Sequence, residues 1–131
     1  QLNQTLINAF LLKCGATVSI ANNGQEGLEW LLKAHSQKSM PDLILLDIHM
    51  PVMDGMETIH CIRKTHQFTL PVIALTADAR KEQKEEALAQ GFSDYITKPF
   101  SRDEFYLILF IAIFMYYFDH LFIRGCFLII M

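Results

Sequence analysis

The sequence predicts an α/β fold, a doubly wound parallel sheet. Two observations carry that prediction. Short apolar runs alternate with segments of helical period, and enough chain lies between successive runs for a helical crossover. The run 43–46 is apolar with no polar alternation, as expected of a strand covered on both faces.

The elements follow in order. Leu2, Leu6, Ala9 and Phe10 keep a helical period up to Gly15, which reads as a C-cap. Residues 17–21 are a short β-branched strand. Asn23 can N-cap the next helix, with Glu26 where a capping box places its carboxylate. That helix runs to about Ser36 and turns Leu28, Leu31 and Leu32 inward. The run 43–46 ends at Asp47. Residues 50–55, with a Pro and a Gly, are a loop, and 56–65 are helical. Residues 71–75 are a second buried strand. Asp78 can cap a charged helix over 79–90, closed by Gly91. Residues 95–97 are a third short strand, and Ser101 with Glu104 forms a capping box for the last helix. No internal repeat or low-complexity linker is present.

The 131 residues suffice for one domain with a real core. Apolar residues make up 52% of the chain, above the usual share, and the excess lies mostly after residue 104. A net charge of −3 argues against direct nucleic-acid binding. Cys14, Cys61 and Cys126 are odd in number and far apart, so a reducing cytoplasm is expected rather than a disulfide framework. No secretory signal pattern is present, and the start at Gln rather than Met predicts a piece of a longer or trimmed polypeptide.

In an open parallel sheet, ligands sit beyond the carboxyl ends of the strands. Asp47, Thr76 and Lys98 each follow an apolar strand and fall at such ends. Any one alone is most simply a surface residue at a loop start. Together, in this order, they make a phosphoryl-handling set. The carboxylate is a nucleophile that can form an acyl phosphate. The ammonium offsets charge on the phosphoryl oxygens, and the hydroxyl donates a hydrogen bond to one of them.

The runs LILLDIHMPVMDGMETI (43–59), PVIALTADA (71–79) and GFSDYITKPF (91–100) resemble the response regulator receiver domain, over about residues 1–104. That resemblance implies Asp47 as phospho-acceptor, Thr76 as switch hydroxyl, Lys98 as the phosphoryl-contacting lysine and Tyr95 as the switch aromatic. It implies a cis Lys98–Pro99 peptide, which proline makes accessible. It implies Mg²⁺ as cofactor and a histidine kinase or histidine phosphotransfer domain as partner. The ALTADA form and the Asn3–Gln4 pair are more similar to receivers of hybrid kinases and phosphorelays than to those of DNA-binding regulators.

The family pattern begins with an apolar strand ending in two acids, followed by an Asn-x-x-Asn-Gln stretch. Asn3–Gln4 matches the end of that stretch, so the acidic pair and first strand are absent from this chain. The resemblance then leaves Asp47 and the backbone carbonyl of His49 as protein ligands, which predicts weak Mg²⁺ binding. It also predicts an empty central position and two unpaired strand edges in a flavodoxin-like sheet.

Residues 105–118 are apolar on every face, where a family member's last helix is amphipathic. Three readings of 105–131 compete. An unselected over-run is favoured over the second, in which 126–131, after an Arg124–Gly125 turn, fill the missing strand's place in a permuted arrangement. A membrane helix ranks third, because 14 apolar residues fall short of a span and Asp119, His120 and Arg124 interrupt the extension.

His49, His60 and Cys61 have no metal-ligand spacing and read as surface histidines and a buried thiol. His35 and His66 follow helices and suit their C-terminal dipoles. Beside the phospho-acceptor stand two alternatives. One is a degenerate, non-phosphorylated interaction module. The other is a haloacid-type hydrolase, which needs an acid where His49 stands.

Overall fold

The structure, a computed structural model, describes residues 2–50, 52–117 and 125–131, with side chains from residue 4 onward. Pro51 of the expected loop, Asp119, His120 and Arg124 of the expected turn lie outside the described residues. The elements are α1 (Leu2–Lys13), β1 (Thr17–Ala21), α2 (Gly24–Ser36), β2 (Leu43–Asp47), α3 (Gly55–His60), β3 (Val72–Thr76), α4 (Lys81–Gln90), β4 (Asp94–Thr97), α5 (Arg102–Tyr117) and β5 (Cys126–Ile130). A π-helical turn, Cys61–Thr65, extends α3 and closes with the His66 N–H donating to the Cys61 carbonyl.

The strands form one parallel sheet in the order β1-β5-β2-β3-β4. The expected vacancy between β1 and β2 is therefore not there. Thr17–Ala21 register with Cys126–Ile130, and residues 43–46 with 127–130. The edges predicted to be unpaired are satisfied by β5, and the reading of the chain's end as an over-run gives way to a central strand. The physical reason lies in β5 itself. Phe127, Leu128, Ile129 and Ile130 are apolar on both faces, which only a covered central position accommodates. Full burial of such a side chain is worth about 2 kcal/mol.

Two cores follow from the period of two along each strand. Ile44, Leu46, Leu128 and Ile130 meet Leu28 and Leu31 of α2 and Ile59 of α3 on one face. Leu43, Leu45, Phe127 and Ile129 meet Ile7 and Leu11 of α1 and Phe105 and Leu109 of α5 on the other. β5 contributes to both cores and α5 to one, so both are built into the same body as the preceding chain.

Local signals mostly act as expected. Asn23 accepts from the Glu26 N–H at 2.9 Å, and Glu26 reaches back to the Asn22 N–H. Ser101 accepts from the Glu104 N–H at 3.1 Å. Gly15 and Gly91 end α1 and α4 with φ of 85° and 117°. The Lys98–Pro99 peptide is cis. The helix expected over 56–65 is there, starting at Gly55, with its last turn loosened to π. Two expectations fail. Leu32 is exposed, because the inward stripe of α2 runs instead through Leu28, Leu31 and Ala34. Asp78 does not cap the helix expected from 79. Its carboxylate accepts from the N–H and guanidinium of Arg80, a tight turn that delays α4 to Lys81.

Candidate functional site at the strand ends

β2, β3 and β4 are registered so that their carboxyl ends lie side by side. The Ile48 N–H donates to the Leu75 carbonyl at 3.0 Å, and the Lys98 N–H to the Thr76 carbonyl at 2.7 Å. That alignment brings Asp47, Thr76 and Lys98 to one rim, as the spacing of apolar runs predicts.

Asp47 is the centre of the site. Its side chain is only 7% exposed and Lys98 Nζ lies 2.8 Å from Oδ2. Oδ1 accepts from the His49 N–H at 3.0 Å. A charge this buried needs both partners, since an unpaired carboxylate there costs several kcal/mol. The pair holds the carboxylate oxygens in fixed directions and places a cation where negative charge develops during attack on an electrophile.

Thr76 is buried, and its hydroxyl accepts from the Asp78 N–H at 3.0 Å. Tyr95 stands apart from the other three. It pairs with Ala74 in the sheet, and the Lys84 ammonium lies 4.7 Å over its ring, a cation–π contact. Asp78 is held ionised: its hydrogen bonds and ion pair with Arg80 draw its carboxyl down to about 2.

Two contributors escape the motif reading. Gly55 lets the loop after β2 close on the acceptor strand, its N–H donating to the Ile48 carbonyl at 2.8 Å. A Cβ at Gly55 would stand 2.5 Å from Ile48 Cα and 2.7 Å from the Asp47 carbonyl oxygen, so no larger residue fits without moving the acceptor. Asp42, buried before β2, fastens β5. It accepts from the Cys126 N–H at 2.8 Å through its side chain, and its backbone pairs with the Cys126 carbonyl and the Tyr117 hydroxyl. Gly55 shows in the sequence as a loop glycine. Asp42 carries no local signal, because its partners lie far along the chain.

A divalent cation such as Mg²⁺ asks for several oxygen ligands in octahedral array. Among the described residues, no group of three or more His, Cys, Asp and Glu gathers to hold a metal ion. Asp47 is a single carboxylate already engaged by Lys98 and His49. These residues alone are too few to hold Mg²⁺ firmly.

The chain matches the family model described as "Response regulator receiver domain" over residues 1–110. Among curated proteins it is 35% identical over 111 residues to hybrid signal transduction histidine kinase I of Dictyostelium discoideum, covering 82% of this chain and 6% of that protein. It is 39% identical over 109 residues to the signal transduction histidine-protein kinase BarA of Escherichia coli K12, covering 82% of this chain and 11% of BarA. The chain thus spans a small part of these relatives. Among solved structures it resembles the receiver domain of sensor histidine kinase PA1611 from Pseudomonas aeruginosa, described with a magnesium ion in its active-site cleft. The TM-score is 0.69 at 36% identity, covering 86% of this chain and 88% of that one. It also resembles the chemotaxis protein CheY4 of Vibrio cholerae, with a TM-score of 0.70 at 31% identity, covering 82% and 87%.

Proposed function

Because the chain belongs to the response regulator receiver family and so to two-component signalling, we propose that Asp47 is its phospho-acceptor. The observation that carries this reading is the buried carboxylate at the end of β2 with Lys98 Nζ at 2.8 Å. A phosphohistidine on a histidine kinase or histidine phosphotransfer domain is the donor. One Asp47 oxygen attacks phosphorus, the P–N bond breaks, and the leaving imidazole nitrogen takes up a proton from solvent. The product is an acyl phosphate whose oxygens face the Lys98 ammonium. Thr76 then turns its hydroxyl from the Asp78 N–H toward a phosphoryl oxygen, and Tyr95 reports the change at the sheet edge. Hydrolysis returns the carboxylate. On this reading the domain is a phospho-acceptor, not an enzyme with a separate substrate, and it works in the cytoplasm. α5 and β5 complete the receiver rather than follow it.

In the family, Mg²⁺ supports this transfer by neutralising phosphoryl charge. Here the His49 carbonyl and Asp47 are the oxygens this chain offers to such an ion, which makes phosphorylation weak. One observation favours a second reading, an interaction module that is never phosphorylated: the strand beside β2 ends in no acid, only in the apolar Ile130 with Met131 after it.

Incubation with acetyl phosphate and Mg²⁺, followed by intact-mass measurement, tests the proposal. The expected result is a gain of one phosphoryl group that Asp47→Asn abolishes and Thr76→Ala leaves in place. A gain that persists in Asp47→Asn refutes the assignment, and no gain at all supports the interaction module.

A further inference from the structure

We infer that the groove between α3 and α4 is a site for a soft monovalent metal ion, copper(I), held by the thiolate of Cys61, the thioethers of Met53 and Met56 and the imidazole of His60. This goes beyond the phospho-acceptor reading and does not depend on it.

The four residues line one open cleft of about 450 Å³, with Glu86 on its α4 wall. Met56 and His60 stand four apart on α3 and so share a face. Met53 comes three residues earlier, in the loop before the helix. Cys61, a free thiol, opens the π-helical turn. Such a turn is a rare departure from the α-helical ladder, found frequently at functional sites. Packing is the simpler role for these side chains, and all three sulfur residues do lie against the edge of a core. None of the three is fully covered, however, and each lines the cleft. His60 and Cys61 alone carry no ligand spacing; the two methionines complete the set.

Chemistry decides which ion. Among the described residues no group of three or more His, Cys, Asp and Glu gathers, so zinc and the hard ions lack their ligand sets. Thiolate and thioether sulfur are soft donors and select copper(I). Charge points the same way. Copper(I) displaces the Cys61 proton to solvent and binds the thiolate, so ion and ligand sum to zero. A neutral complex costs far less to place in a partly covered cleft than a net charge does. Exposed Glu57 and Glu86 on the rim draw a cation in from solvent.

Anaerobic titration of copper(I) against a chromophoric copper(I) chelator is the test. The chain carries Cys14→Ser and Cys126→Ser, which leaves Cys61 as its single thiol. The expected result is one copper(I) per chain withdrawn from the chelator, with sulfur neighbours in X-ray absorption at the copper edge. Cys61→Ser, His60→Gln and the double variant Met53→Leu/Met56→Leu each weaken binding at least ~10-fold, since even outer-shell partners of a metal ligand are worth that much. Leucine keeps the methionine volume, and far-UV circular dichroism of every variant verifies the fold. Asp47→Asn leaves the affinity unchanged, and zinc(II) does not compete. A chain that takes no copper(I) from the chelator overturns the inference. So does binding that survives any of the three ligand changes, binding lost in Asp47→Asn, or tighter binding of zinc(II).

Discussion

Gly27 offers a direct test of where β5 sits. It lies inside α2, and a Cβ built on it would stand 2.4 Å from Cδ1 and 2.9 Å from Cγ1 of Ile130, a fully buried side chain of β5. Two effects oppose each other in Gly27→Ala. Helix propensity favours alanine by ~1 kcal/mol. Overpacking against a buried neighbour costs ~1–3 kcal/mol. The net expectation is a loss of about 1 kcal/mol, measured by urea denaturation. Ile130→Val removes Cδ1, the nearer of the two clashing atoms, and leaves Cγ1 at 2.9 Å. In the native background it costs ~0.5–1.5 kcal/mol, as loss of a buried methyl does. In the Gly27→Ala background it relieves the worse part of the clash, and its cost falls toward zero. The double-mutant cycle therefore yields a coupling of about 1 kcal/mol or more. If Gly27→Ala stabilises by ~1 kcal/mol and the two changes add within ~0.5 kcal/mol, nothing packs on Gly27, and the placement of β5 is wrong.

Other expectations follow from the same geometry. Asp42→Ala leaves the Cys126 N–H without its 2.8 Å acceptor and lowers stability by ~1–3 kcal/mol in denaturant titration, while Tyr117→Phe costs ~1 kcal/mol. Lys98→Met strands the buried Asp47 carboxylate and costs ~3–5 kcal/mol, and adding Asp47→Asn recovers most of that loss; a second substitution that only deepens the loss would contradict the ion pair. Asp78, drawn down to about 2 by its hydrogen bonds and ion pair with Arg80, stays charged in carboxyl NMR titration until pH approaches that value. Its folded-state value lies below the unfolded one, so its small contribution is present at neutral pH and is lost as pH falls toward 2. Arg80→Ala moves the Asp78 midpoint upward, and an unmoved midpoint would refute the cause.

The parallel sheet was legible because its evidence is local. An unalternating run such as 43–46 states its own burial, and a polar residue straight after it states its place at the strand's end. Asp47, Thr76 and Lys98 were found this way, and the structure aligns their strands. What escaped depends on distant pairing. The run 126–130 declares itself a strand, and its placement in the vacant central position was the second-ranked reading, because no period names its neighbours and β1 and β2 lie far upstream. Asp42 is unremarkable until Cys126 arrives beside it. Asp78 was read as a cap from position alone, yet the guanidinium two residues later competes for the same oxygens.

The position of β5 also sets an order of assembly. It lies downstream of every other strand and yet stands between β1 and β2. Among the described strands β1 pairs with β5 alone, while β2, β3 and β4 can pair as a three-stranded unit without it. Closure waits for one late, long-range insertion, and such high-separation pairing is slow. Until it occurs, two strand borders and both inner faces are open to other chains. Among the described strands, the one latest in sequence is the one that joins β1 to β2, β3 and β4.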